Sequence, residues 1–361
     1  PAVFVLSPPR SGSTLLRVML GGHPGLFAPP ELQLLNYNTL RQRRASLSSE
    51  RDNFWLQGTI RALMEIRGCD ADEATRIMED CQQRDVSVKE FYRFVQDLLG
   101  DVMLVEKTPT YSLDVRTLNR AEEDFQQARY IHLVRHPSPV IASFEEAKLH
   151  VFFPPFFTGP HDFTSWQLAE LIWNVCHENI REFLRGLPRE RQHVIRFEDL
   201  VRDPRSTMEK TAEFLGLPFH PNMIDPYRRD RRAQMTDAIR PMARMLGDVK
   251  FHQHGKIRAE AAERRQGRYT EAALGEVTRR LARALGYRLR DRRGAVLVGL
   301  QTRGGAPAFF CVHPVGGNVA CYGRLVRRLG PDQPFYAFRA PTLDGGVPFH
   351  RSMQEIASSY L

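Results

Sequence analysis

Two strand-to-helix junctions in this chain carry the residue types that grip phosphate. In the first, the apolar run Phe4-Val5-Leu6 breaks into Ser7-Pro8-Pro9-Arg10-Ser11-Gly12-Ser13-Thr14 before Leu15 and Leu16 restart as a helix. Small residues let backbone N–H groups face inward, and the helix adds its positive N-terminal end, so the stretch reads as a phosphate cradle. In the second, Leu133-Val134-Arg135-His136-Pro137 leads into a Pro-started helix with Ser143 eight positions after the arginine. Arg135 at a strand end and Ser143 one or two turns into the helix could grip a second, separate phosphate. An arginine at a strand end is usually a surface ion pair. Two such junctions on neighbouring strand ends form the stronger signal.

The cradle departs from the Gly-x-x-x-x-Gly-Lys-[Ser/Thr] pattern of nucleoside triphosphatases. Gly12 and Thr14 fit it, but Ser7 stands at the first glycine and Ser13 at the lysine. A triphosphate enzyme needs that lysine on the β- and γ-phosphates and a carboxylate for Mg²⁺. Arg10 and hydroxyls alone suit a ligand with one phosphate at this loop and no metal.

The elements that must hold these junctions are apolar β-rich runs at Val3–Leu6, Met103–Val105, Tyr130–Val134 and His193–Phe197, separated by helical stretches. That alternation predicts an α/β fold, a P-loop-like parallel sheet flanked by crossover helices. A helical insertion is expected between the first two strands. Leu56, Ile60, Leu63, Met64 and Ile66 have helical spacing, Asp70 caps a second helix, and Ser87-Val88-Lys89-Glu90 reads as a capping box. Pro137 starts one later helix and Thr164 to Leu184 forms a long amphipathic one. Between these two, four Phe alternate with Pro from His150 to Pro160. That run is either a tucked connection or a hinged flap over an apolar substrate.

Composition sets the limits. The chain has 361 residues, 42% hydrophobic and 26% charged, with a net charge of +9 and a pI near 9.5. The basic balance favours anionic partners, but no aromatic-interleaved basic ladder marks a nucleic-acid binder. Five cysteines, Cys69, Cys81, Cys176, Cys311 and Cys321, with no Cys-x-x-Cys, argue against a disulfide framework or a zinc site and fit a reducing cytoplasm. No apolar run approaches the roughly eighteen residues of a membrane span, and neither a leader nor a Met precedes the first strand. The chain is expected to be a piece of a longer polypeptide. Residues 290–307, Arg- and Gly-rich, read as a linker, after which Phe309 to Val312 starts a new strand and Tyr322 to Leu329 its helix.

Pro9 to Thr14 and Arg135 to Ser143 resemble the 5′-phosphosulfate loop and the 3′-phosphate motif of sulfotransferases that use 3′-phosphoadenosine 5′-phosphosulfate (PAPS). The resemblance covers roughly residues 1 to 288. It implies that Arg10, Ser11, Gly12, Ser13 and Thr14 cradle the 5′ side, and that Arg135 and Ser143 hold the 3′-phosphate. The adenosine bisphosphate PAP is the leaving product, with no metal. Moving a sulfuryl group to a hydroxyl needs a base and a cation for the bridging oxygen. Glu31, in a loop stiffened by Pro29 and Pro30, is the expected base, and its plain alternative is a helix-capping carboxylate. Lys107 sits where the second strand ends and, like the Lys-x-Pro of carbohydrate-type members, would steady the leaving oxygen. Glu106 is the lesser candidate for base. His252 and His254 stand in a basic Gly-bounded loop with Lys256, which resembles the family's last donor-binding element. Either histidine is a further candidate for base, with His254 preferred; no Cys or carboxylate cluster completes a metal site around them.

The C-terminal fragment resembles the start of a thioesterase of the α/β-hydrolase type. His313-Pro314-Val315-Gly316-Gly317 matches a loop that donates an oxyanion-hole N–H, while the nucleophile elbow is absent from the chain. The resulting domain expectation is a sulfotransferase at 1–289, a linker at 290–307 and a thioesterase fragment at 308–361. That order resembles the end of polyketide-type megasynthases, of curacin or olefin-synthase kind, that make terminal alkenes. By that resemblance the acceptor is the β-hydroxyl of a 3-hydroxyacyl chain on an acyl carrier protein, and the thioesterase acts next. Neither nucleic acid nor a membrane is an expected partner, and Arg228 to Arg232 would help receive the acidic carrier. The competing reading is a sulfotransferase for a free small-molecule, lipid or carbohydrate hydroxyl.

Overall fold

The computed structural model describes residues 2–49, 52–149, 163–228, 235, 251, 253–262, 271, 274–289, 296–315, 317–340 and 352–360. The chain divides into two compact units, Pro1–Arg135 with Ile172–Arg264, and His136–Leu171 with Arg265–Leu361. The run from His150 to Pro160, His252, and Arg229 to Arg232 lie outside the described residues.

The first unit is built on a parallel sheet. Strand β1 (Ala2–Leu6) feeds α1 (Ser13–Leu20), and a short edge strand β2 (Leu26–Phe27) follows. The insertion then supplies α2 (Leu40–Ser46), α3 (Gln57–Arg67), α4 (Ala71–Gln83) and α5 (Val88–Leu99). Asp70 caps α4 by accepting from the Glu73 N–H, and Ser87 with Glu90 closes both halves of a capping box on α5. Each such cap is worth about 1 kcal/mol, so the insertion's helix starts are written locally. In chain order there follow β3 (Met103–Glu106), α6 (Val115–Asp124), β4 (Arg129–Val134), then α7 (Pro137–Glu146), which belongs to the second unit, α8 (Ser165–Arg185), which begins there, and β5 (Gln192–Arg196), α9 (Phe197–Arg202) and α10 (Pro204–Leu215) of the first unit. The strand order is β2-β3-β1-β4-β5, all parallel.

Both faces of that sheet are covered, as a parallel sheet requires. Ala2, Phe4 and Leu6 point into a core shared with Leu104, Tyr130 and the insertion, including Leu63, Phe91 and Val95. Val3 and Val5 point the other way, toward Leu16, Met19, Ile131, Ile195 and Met208. Because β1 is central and its two neighbours come later in the chain, the order reverses at β1. The crevice for a ligand opens at the carboxyl ends of the strands beside such a reversal.

The second unit holds α7, the start of α8, α11 (Glu276–Ala284) and a three-stranded sheet of β6 (Leu297–Gln301), β7 (Phe309–Val312) and β8 (Phe335–Phe338) in the order β6-β8-β7. Helix α12 (Gly323–Leu329) joins β7 to β8, and α13 (Met353–Tyr360) follows. Glu170 accepts from the Gly275 N–H at 2.6 Å and the Thr278 hydroxyl at 2.5 Å, capping α11 from outside.

Two elements differ from the sequence expectation. Strand β2 is only two residues long and takes its place by pairing with β3, which no local pattern announces. The stretch 290–307, expected as linker, contains β6. Its apolar Leu297-Val298-Gly299-Leu300 pairs antiparallel with β8, and the flanking Arg and Gly residues had masked it. No described helix is long and apolar enough to cross a membrane.

Candidate active site

Four strand ends supply the site residues of the first unit. Ser7 to Gly12 follow β1, Lys107 follows β3, Arg135 follows β4 and Phe197 follows β5.

The loop after β1 takes a shape that side chains resist. Arg10 has φ +68° and Gly12 φ +89°. A left-handed non-glycine residue costs about 1–2 kcal/mol, and such strain persists where surrounding structure enforces it. Gly12 caps α1 without any side-chain hydrogen bond, leaving the first-turn N–H groups to another acceptor. The Ser7 and Ser11 hydroxyls are buried and have no hydrogen-bond partner among the described residues. Buried hydroxyls without partners, under-used helix N–H groups and a basic side chain together fit an anion the size of phosphate. The loop therefore fits the phosphosulfate end of the expected donor.

Phe197 joins the cradle to Arg135. A Cβ on Gly12 would lie 2.3 Å from the Phe197 ring, so only glycine allows that approach. The Arg135 guanidinium lies 4.0 Å from the centroid of the same ring, and its Nη1 donates to the Arg10 carbonyl at 3.0 Å. The Arg135 carbonyl in turn accepts from Trp173 Nε1 on α8 at 3.2 Å. Ser143 lies in the second unit on α7.

On the other side of β1, Lys107 Nζ donates to Glu31 Oε1 at 2.6 Å. Lys107 is 1% exposed and Glu31 30%, so a buried cation holds a carboxylate that reaches solvent. Burial lowers the Lys107 pKa, and Arg17 adds to this, while Glu31 opposes it. Arg17 on α1 is buried, donates from Nη1 to the Ala28 carbonyl at 2.7 Å, and is pushed down to about 10 by burial against the pull of Glu31.

The Glu31 loop is tied at almost every residue that follows. Arg43, buried on α2, donates from Nε to the Leu32 and Gln33 carbonyls at 3.1 and 3.0 Å. The Tyr111 hydroxyl accepts from the Leu34 and Leu35 N–H groups at 2.7 and 3.2 Å, and Arg120 Nη1 donates to the Leu35 carbonyl at 2.7 Å. Gly58 on α3 backs the loop so closely that a Cβ there would lie 2.1 Å from the Glu31 carbonyl oxygen.

The remaining predicted residues have separate places. Glu106 is 1% exposed and accepts from Thr108 Oγ1 at 2.6 Å and the Tyr92 hydroxyl at 3.3 Å. His254 is half-buried, its N–H donating to the Phe251 carbonyl at 3.2 Å. Lys256 is exposed and lines a cleft of about 280 Å³ with Arg205, Asp225 and Tyr227. Among the described residues no group of three or more His, Cys, Asp or Glu side chains is arranged to hold a metal ion. The spacing of motifs did not single out Arg17, Arg43, Tyr111 or the bridging role of Phe197. Only Phe197 had a sequence signal, its position ending a strand.

A family model described as "Sulfotransferase family" matches residues 1–221. Among solved structures, the chain is similar to the sulfotransferase domain from the curacin biosynthetic pathway. The two are 35% identical with a TM-score of 0.71, the match covering 80% of this chain and 98% of that domain. It is likewise similar to the sulfotransferase domain of the Synechococcus PCC 7002 olefin synthase, at 35% identity and a TM-score of 0.70, over 80% and 95% of the two chains. Among curated proteins, the protein-tyrosine sulfotransferase of Drosophila melanogaster is 24% identical over 225 residues, 61% of this chain and 39% of that protein. The chain thus spans well under half of that relative's length.

Proposed function

The chain belongs to the sulfotransferase family, and from that premise we propose that it moves a sulfuryl group from PAPS to the β-hydroxyl of a 3-hydroxyacyl chain on an acyl carrier protein. The observation that carries this reading is the match, at 35% identity, to nearly the whole of two sulfotransferase domains, one from a biosynthetic pathway and one from an olefin synthase. The basic net charge of +9 agrees with an acidic carrier as partner.

When bound, PAPS supplies the activated sulfuryl group. Arg10, Ser11, Gly12, Ser13 and Thr14 orient its 5′ side through loop and helix N–H groups. Arg135, with Ser143, takes the 3′-phosphate, and Lys256 is proposed to assist from its basic loop. Lys107, paired with Glu31, stabilises negative charge on the departing bridging oxygen. Glu31 accepts the proton of the acceptor hydroxyl, the exposed side of its carboxylate being the side a substrate can reach. His254 and His252 are the other candidates for that proton. The strand and loop from Phe309 to Gly317 are proposed as the start of a thioesterase. Sulfation would prepare the chain for thioesterase-linked loss of sulfate and carbon dioxide, leaving a terminal alkene.

Intact-mass measurement of a 3-hydroxyacyl carrier protein incubated with the chain and PAPS tests this directly. One added sulfuryl group, lost when the carrier is omitted or replaced by a free hydroxyacyl thioester, is expected. Equal turnover of the free thioester would overturn the carrier assignment.

A further inference from the structure

Glu106 is the lesser candidate for proton acceptor, and it is buried at the end of β3 with both carboxylate oxygens already accepting hydrogen bonds. Its neighbours define what it does instead. Thr108 Oγ1 donates to Oε1 at 2.6 Å and the Tyr92 hydroxyl from α5 donates to Oε2 at 3.3 Å. The Tyr92 and Tyr111 hydroxyls are 3.4 Å apart. Tyr111 is thus linked to the carboxylate through Tyr92, and Lys107 and Arg43 face the carboxylate electrostatically.

Lone-pair counting then links this cluster to Glu31. The Tyr111 oxygen already accepts two backbone N–H groups, from Leu34 and Leu35. A phenolic oxygen has two acceptor sites, so both are used and its own proton must be donated outward. The acceptor facing it is the Tyr92 hydroxyl at 3.4 Å, whose own proton goes to Glu106. An ionised Glu106 takes protons from its hydroxyl neighbours. A protonated Glu106 is a weaker acceptor, so its hold on the Tyr92 hydroxyl, and through it on Tyr111, loosens.

We propose that Glu106 is a positioning residue: as a carboxylate it fixes, through the Tyr92 hydroxyl, the Tyr111 hydroxyl, which holds the loop of Leu34 and Leu35 and so sets Glu31 against Lys107. The consequence for catalysis rests on Glu31 being the proton acceptor, as proposed above. The tether itself does not. Burial pushes the Glu106 pKa up to about 7, against the hydrogen bonds from Thr108 and Tyr92. The group thus changes charge in the range where the reaction would be assayed. The loop is tethered above that pH and slackens below it. Stability runs in the opposite direction. A carboxyl raised above its ordinary 4.5 contributes stability that is present below 4.5 and lost as pH rises through about 7.

The test uses Glu106→Gln and Tyr111→Phe in the full chain. Glu106→Gln is expected to lower kcat about tenfold, the worth of one well-placed hydrogen bond. PAP affinity should stay within about twofold, since the cradle makes none of these contacts. The limb of the kcat–pH profile near 7 should vanish, and amide exchange at Leu34 and Leu35 should quicken. Tyr111→Phe should do the same, and the double variant should be no slower than Tyr111→Phe alone. A limb near 7 that survives in Glu106→Gln, or unchanged exchange at both amides, would overturn the tether. So would a parallel loss of PAP affinity. Exchange needs no substrate, so it judges the tether even if the chain sulfates nothing. Full activity in Glu31→Gln would instead reject Glu31 as proton acceptor and leave the exchange result standing. Should Glu106→Gln not fold, Tyr111→Phe carries the same readouts.

Discussion

The two sides of β1 are held in opposite ways. After β1 and β4, the cradle is shaped by backbone: two left-handed residues, an uncapped helix start, and Ser7 and Ser11 hydroxyls with no partner among the described residues. Beside β3, the Glu31 loop is shaped by side chains, with Arg17, Arg43, Tyr111 and Arg120 each bonding its main chain. A surface left unsatisfied can take a ligand that satisfies it. A loop whose main chain is bonded by several side chains fixes one group in place, even though Gln33 Nε2 and Arg43 Nη1 find no partner among the described residues. On the proposed function, the first side is the one that binds and the second the one that positions a carboxylate and its lysine.

Lys107→Met gives that division its strongest trial. Methionine fills a similar volume, and the Glu31 carboxylate it leaves unpaired is 30% exposed and can be solvated, which limits the loss of stability. The kcat should fall by roughly 10²–10³, the loss typical when one charge-stabilising group is removed. PAP binding, followed by thermal shift, should stay near wild type. A large loss of PAP affinity would mean that the lysine belongs to the binding side, and the division would fail.

Gly12→Ala attacks the other side. The new Cβ would meet the Phe197 ring at 2.3 Å, and φ +89° is unfavourable for alanine in any surroundings. The left-handed penalty alone is about 1–2 kcal/mol, so PAP affinity should fall about tenfold or more. Amide exchange at Leu34 and Leu35 should not change. Exchange that rises there would show the two sides to be one mechanical unit.

How much of this was legible in the sequence follows the same line. The cradle lies within eight consecutive residues, so its small residues and glycine announced it, and Arg135 was marked by the strand it ends. The sheet was plainest at β1, β3 and β4, whose runs are largely apolar, while β5 has only Val194 and Ile195 as apolar residues. Lys107 and Glu31 were named separately, but their contact spans 76 positions and no spacing rule predicts it. Tyr111 reaches Leu34 across 77 positions, and nothing local distinguishes it from a core tyrosine. Arg43 looked like one of several arginines on a surface helix, yet it is buried, and only the folded loop gives its guanidinium two carbonyls to bind. Residues that act through long-range main-chain contacts leave no periodicity to read.

The finest test concerns Trp173, the one side chain described as reaching the Arg135 backbone from α8. Its indole N–H donates to the Arg135 carbonyl at 3.2 Å, and the side chain is fully buried. Trp173→Phe keeps an aromatic ring in the site but removes that donor. A neutral hydrogen bond contributes about 0.5–1.5 kcal/mol, so PAP affinity should weaken by about tenfold at most. Arg135 retains its stacking on Phe197 and its bond to the Arg10 carbonyl, which limits the loss. Because the contact bears on binding alone, the kcat with saturating PAPS should stay near wild type. A fall in kcat with unchanged PAP affinity would place Arg135 on the positioning side with Glu31 and reverse its assignment.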